Sequence, residues 1–172
     1  MKAAVIFAII LILAYLQVTA APYFLFMGAQ VDLLLVSLAL LLTYQGPRTA
    51  MITLPVIALV LGFVSDRSPA MLIVAFTPLL PLAYWMDNAA TPLSRYMQTV
   101  LAVGATSAWA RCVLAIGPWI DGANVSPGVL VFQVVLPGVI LDLALLSLAY
   151  LASWLLRWQP RSLSPARERY RA

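Results

Sequence analysis

Histidine is absent from this sequence, and cysteine occurs once, as Cys112 within an apolar stretch. The first absence removes Ser-His-Asp and Cys-His nucleophile schemes and histidine-ligated zinc. The second removes an internal disulfide and any thiolate cluster for a metal. Charge is scarce too: 9% of residues are Asp, Glu, Lys or Arg, where soluble domains carry about 25%. No basic stripe interleaved with aromatic or polar readers exists before the final residues, which argues against a nucleic-acid partner. No cofactor is expected from this inventory.

What the chain has is apolar surface. Apolar residues make up 64% of it and the mean hydropathy is +1.00, so the bilayer must do the solvating. The apolar runs are Ala3–Ala21, Val31–Gln45, Ala50–Ser65, Ala70–Met86, Tyr96–Trp119 and Gly128–Trp158. A helix crossing about 30 Å of hydrocarbon needs roughly 20 residues, and shorter runs are accommodated by thinning of the bilayer. The expected fold is therefore an all-α membrane bundle of about six transmembrane helices over residues 1–158, without a sheet, followed by a short basic tail at 159–172. Pro55, Pro78 and Pro81 lie in the third and fourth runs, which could instead form a re-entrant pair.

The amino end imitates a secretory signal, with Lys2, an apolar core from Ala3 to Leu16, and Val18-Thr19-Ala20 as a small-residue site. We read it as an uncleaved first helix. Orientation follows from the excess of Lys and Arg on cytoplasmic loops. With the amino terminus inside, Lys2, Arg48, Arg95, Arg157, Arg161, Arg167, Arg169 and Arg171 are cytoplasmic and Arg67 alone is outside. Both termini are then cytoplasmic, and Tyr44, Tyr84, Trp85, Tyr96, Trp154 and Trp158 fall near the inner face. The tail suits anionic lipid or a cytosolic partner.

Ionisable residues inside a membrane are costly and draw attention by default. Asp32 opens the second run and Asp66 follows the third, where both can reach the outer interface. Asp142 lies about 20 Å into the sixth run and must face protein or a wet cavity, whereas Arg111 lies about 9 Å below the outer end of the fifth. By this arithmetic the two are not level, and a direct ion pair needs snorkelling or tilt. Lone Asp142 is a thin proton relay, so a structural polar contact is the preferred reading. An intramembrane enzyme would want two deep acids, and the expectation is no enzyme. Small residues four apart, Ala58 with Gly62 and Gly104 with Ala108, allow helix backbones to approach closely. Pro55, Pro78, Pro81 and Pro137 mark either broken helices or tolerated kinks.

Three features within Val31–Asn88 resemble the rod shape-determining MreD family of bacterial inner-membrane proteins: Asp32-Leu33-Leu34-Leu35, the turn Gly46-Pro47-Arg48, and Gly62-Phe63-Val64-Ser65-Asp66. Family members typically place leucines before that aspartate and a glycine soon after it. Here Val64-Ser65 precede it and Ser68-Pro69-Ala70 follow. The resemblance implies a non-enzymatic member of the cell-elongation machinery of the inner membrane, supporting peptidoglycan synthesis and cell shape. It would bind MreC and work beside RodA, its transpeptidase partner and MreB. The family is similar in helix arrangement to the substrate-binding components of energy-coupling-factor (ECF) vitamin transporters, which supplies the alternative reading. That alternative needs an outer pocket with convergent polar groups, for which Gln30, Asp32, Asp66, Asp121 and Asn124 are the candidates.

Overall fold

A computed structural model describes residues 2–23, 25–26, 28–65, 68–87, 91–120, 122 and 126–155. The chain is mostly helical. Helix α1 (Lys2–Thr19) leads through a short 3-10 turn into two short strands, β1 (Leu25–Phe26) and β2 (Ala29–Gln30). Then come α2 (Leu33–Gln45), α3 (Pro47–Ser65), α4 (Pro69–Phe76), α5 (Leu79–Asp87) and the long α6 (Pro92–Ile120). The last element begins as one turn, α7 (Pro127–Val129), widens into a π-helical stretch at Leu130–Val135, and continues as α8 (Leu136–Leu155).

Among the described residues, two helical stretches are long and apolar enough to cross a membrane, Leu93–Ile116 and Pro127–Leu155. Four apolar helices are shorter: Phe7–Tyr23, Leu33–Gln45, Met51–Ser65 and Pro69–Leu82. Helix α2 is the innermost. Leu34, Leu35, Val36, Leu38, Ala39, Leu42 and Thr43 are all buried, and the helix packs on α1, α3, α5, α6 and α8. A helix apolar on every face suits such a position, since no polar side has to be turned to water. Gly46, at φ +87, makes the tight reversal into α3 that a side-chain-bearing residue would resist.

The expectation of no sheet needs correction. Between the first two apolar runs, Leu25 pairs with Gln30 and Phe26 with Ala29 in an antiparallel ribbon. Gly28, at φ +89, supplies the left-handed residue that a two-residue reversal requires. The ribbon packs on α8 and, through β2, on the π-helical stretch. In an apolar setting a hairpin lets the returning chain satisfy its own backbone groups where water cannot.

The prolines differ in effect. Pro55 sits inside a continuous α3, whereas the fourth run divides at Thr77-Pro78 into α4 and α5. Pro78 has no N–H for the carbonyl of Val74, one turn earlier, and that carbonyl instead accepts the indole N–H of Trp109 on α6 at 3.1 Å. The break is thereby compensated from a neighbouring helix. The tail from 159 onward, Asp66, Asp121 and Asn124 lie outside the described residues.

Candidate functional site

Where the chain leaves the ribbon and enters α2, four consecutive residues expose backbone groups that neither ribbon nor helix can satisfy. Each is met by a side chain from elsewhere. The carbonyl of Gln30 accepts Nη2 of Arg111 (α6) at 3.1 Å. The carbonyl of Val31 accepts Nε2 of Gln17 (α1) at 2.9 Å. The N–H of Asp32 donates to Oδ1 of Asp142 (α8) at 2.7 Å, and the N–H of Leu33 donates to Oε1 of Gln17 at 2.7 Å. Asp32 then caps α2, its Oδ1 accepting the Leu35 N–H at 3.0 Å. A carboxylate there satisfies an orphan donor and is favoured by the positive end of the helix dipole.

Beneath this segment lies a charge pair. Asp142 is 0% exposed, and its Oδ2 accepts Nη1 of Arg111 at 2.8 Å and the hydroxyl of Ser107 at 2.7 Å. Nη1 also donates to the Ser107 hydroxyl and to its carbonyl, the latter at 3.3 Å. Ser107 precedes Arg111 by one turn, so the two stack on one face of α6. Across from them Gly138 leaves room for the guanidinium, because a Cβ there would fall on the Arg111 side chain. Gly138 and Asp142 are likewise one turn apart, and Arg111 crosses the first to reach the second.

This arrangement corrects the depth arithmetic. Side chains on a helix lean toward its amino end. Helices α6 and α8 run in opposite directions, so Arg111 leans away from the ribbon end and Asp142 leans toward it. The short side chains of Ser107 and Asp142 touch, so those two residues are level, and Arg111, one turn or about 6 Å further along α6, reaches back to the carboxylate with its own long side chain. Asp32 stands at the opening of the second helix, and it also joins the same junction through its backbone N–H.

Of the other residues singled out in the sequence, Gly62 is buried in α3 one turn after Ala58, which is 0% exposed. Helix α3 packs on α1, α2 and α4. Gly62 is not part of the junction. Gln17, Ser107 and Gly138 were not picked out from the sequence, although the i, i+4 spacing of Ser107 to Arg111 and of Gly138 to Asp142 was there to be used.

Beside the junction is a cavity of about 210 Å³ lined by Gln17, Val18, Pro22, Gln30, Asp32, Leu61, Ser65, Leu72, Phe76 and Leu114. All belong to the ribbon end of the bundle. A second polar contact ties α6 to α8 at the other end, where Tyr96 meets Ser147 at 2.9 Å and Thr99 meets Tyr150 at 3.2 Å. The two tyrosine rings lie edge to face, 5.0 Å apart. No cluster of three or more His, Cys, Asp or Glu residues that could hold a metal occurs among the described residues.

Comparison with protein-family models, with characterised proteins and with solved structures finds no match.

Proposed function

We propose that this chain is a six-pass protein of the bacterial cytoplasmic membrane that acts without catalysis, as an MreD-type scaffold holding partners of the cell-elongation machinery. In this reading α4 and α5 together make one bent pass, both termini are cytoplasmic, and the ribbon faces outward. The positive-inside bias of the sequence supports that orientation.

The observation that carries the reading is how the interior polar groups are used. Gln17, Ser107, Arg111 and Asp142 each bond either the backbone between Gln30 and Leu33 or one another. Catalysis would want a nucleophile, a base or an acid directed at open space. These groups are instead engaged in holding α1, α2, α6 and α8 in one arrangement. A rigid, charge-neutralised interior leaves the apolar outer faces as the surfaces on which a membrane partner is recognised.

The alternative, a vitamin-capturing transporter component, has the cavity at the ribbon end in its favour. At about 210 Å³ it is smaller than the roughly 300–1,000 Å³ of ordinary small-molecule sites, so the scaffold reading leads.

Affinity purification in mild detergent, followed by mass spectrometry, tests the proposal. Recovery of MreC or RodA is the expected result, and recovery of a coupling ATPase in their place would overturn it. Gly62→Leu and Asp66→Ala, made separately, should lower partner recovery at unchanged amounts of inserted protein. Unchanged recovery in both would remove that corner from the mechanism.

A further inference from the structure

Helix α8 and the turns that lead into it pack against α6, α2 and the ribbon. On the side turned away from these, Val129, Gln133, Leu136, Ile140, Ala144 and Leu148 are all exposed. They recur every three or four residues, the spacing that sets side chains on one face of a helix. Five of the six are apolar and suit lipid. Gln133 does not, and its side-chain amide makes no hydrogen bond among the described residues. Exposed apolar residues, Val129, Val131 and Phe132, separate it from Ser126, about 10 Å along the helix toward the ribbon end. An amide set in hydrocarbon keeps its donors and acceptor unmet, because acyl chains offer neither. Gln133 also lies within the π-helical stretch, and such widened turns concentrate at functional sites.

We infer that this seam is the interface between two copies of the chain, side by side and parallel, with their Gln133 amides paired across a two-fold axis along the membrane normal. Such an axis keeps every residue at its own depth, so each amide meets its twin at the same level. A side-chain amide complements its own copy, since the NH2 of each donates to the Oε1 of the other. A charged group from a different partner would carry the penalty of an ion in hydrocarbon, and an apolar one would leave the amide unmet. One polar residue in an otherwise apolar seam also fixes the register of two helices, as a buried polar position does in coiled coils. Ala144, on the same face, lets the two backbones approach. The inference rests on insertion in a bilayer and not on the scaffold role, and the α3 face bearing Phe63 stays open to other partners.

The test uses the full-length protein, labelled at its carboxyl terminus with a donor or an acceptor fluorophore and reconstituted together in liposomes over a range of protein-to-lipid ratios. Energy transfer should fall on dilution with lipid as a monomer–dimer equilibrium does. Gln133→Leu should raise the mole fraction of half-dissociation about fivefold or more while leaving the Tm near that of the wild type. Gln133→Asn, which restores a self-complementary amide, should recover most of the association. Ala144→Trp keeps Gln133 but obstructs the seam and should weaken association too, whereas Phe63→Leu on α3 should not. In cells, a photo-crosslinking residue at Ile140 should give an adduct of twice the chain's mass. Monomer at every lipid ratio, association undiminished in Gln133→Leu, or adducts at Ile140 with lipid alone or with a different protein alone would overturn the assignment. Recovery of elongation-machinery partners enters none of these readouts, so the dimer and the scaffold reading can fail separately.

Discussion

At the scale of single residues, the account rests on Arg111, Asp142 and Ser107 acting as one unit. Removing one member of a buried ion pair strands the other, at a cost of about 3–5 kcal/mol, whereas removing both trades the pair for apolar packing. Arg111→Met and Asp142→Leu should each be strongly destabilising in detergent unfolding. The double variant should cost less than the sum of the singles by about 2 kcal/mol or more. Additive losses would mean that the two side chains stabilise the bundle independently. Gly138→Ala should cost about 1–3 kcal/mol although it adds a single methyl group, because the guanidinium must leave its seat to admit it. The sequence made each of these charges conspicuous, an Arg and an Asp deep in apolar runs. It did not show that they meet, because counting residues from helix ends measures Cα depth and omits the direction in which the side chains lean. Ser107, small and common in membrane helices, carried no signal beyond its spacing from Arg111.

At the scale of elements, apolar runs marked nearly every helix, while their interruptions depended on neighbours. Pro55 and Pro78 look alike in sequence, yet α3 continues through the first and the fourth run divides at the second. The difference at Pro78 includes Trp109, whose indole takes up the stranded Val74 carbonyl from another helix. Trp109→Phe should therefore destabilise by about 1 kcal/mol through that bond alone. In a Pro78→Ala background, where an N–H can return to the Val74 carbonyl, the same substitution should cost measurably less. Equal costs in both backgrounds would show that the indole matters only for packing. The ribbon escaped sequence reading because its strands are two residues each, too short for any alternation to register. Its signal was the glycine at Gly28. The π-helical stretch before Pro137 was equally silent. There the Leu136 N–H bonds the Val131 carbonyl, five residues back, as the helix widens just ahead of the proline.

At the scale of the whole molecule, composition made a mostly helical, strongly apolar chain legible, and among the described residues two helical stretches are long and apolar enough to cross a membrane. The order of helices around α2 was not legible, since a helix apolar on every side gives no face to read. For the proposed topology, reporter fusions at Ala172 and near Asn124 should report opposite sides of the membrane, and matching sides would sink it. The central claim is that the interior is architectural and that function lies on the outer faces. Phe63, Leu148 and Trp154 are exposed on α3 and α8, at 83%, 63% and 74%. A photo-crosslinking amino acid placed at each of these positions in living cells tests that claim most directly. The account predicts a discrete adduct with another membrane protein from at least one of the three, identifiable by mass spectrometry as a component of cell-wall synthesis. Adducts with lipid alone at all three positions, in a protein inserted at normal levels, would contradict it.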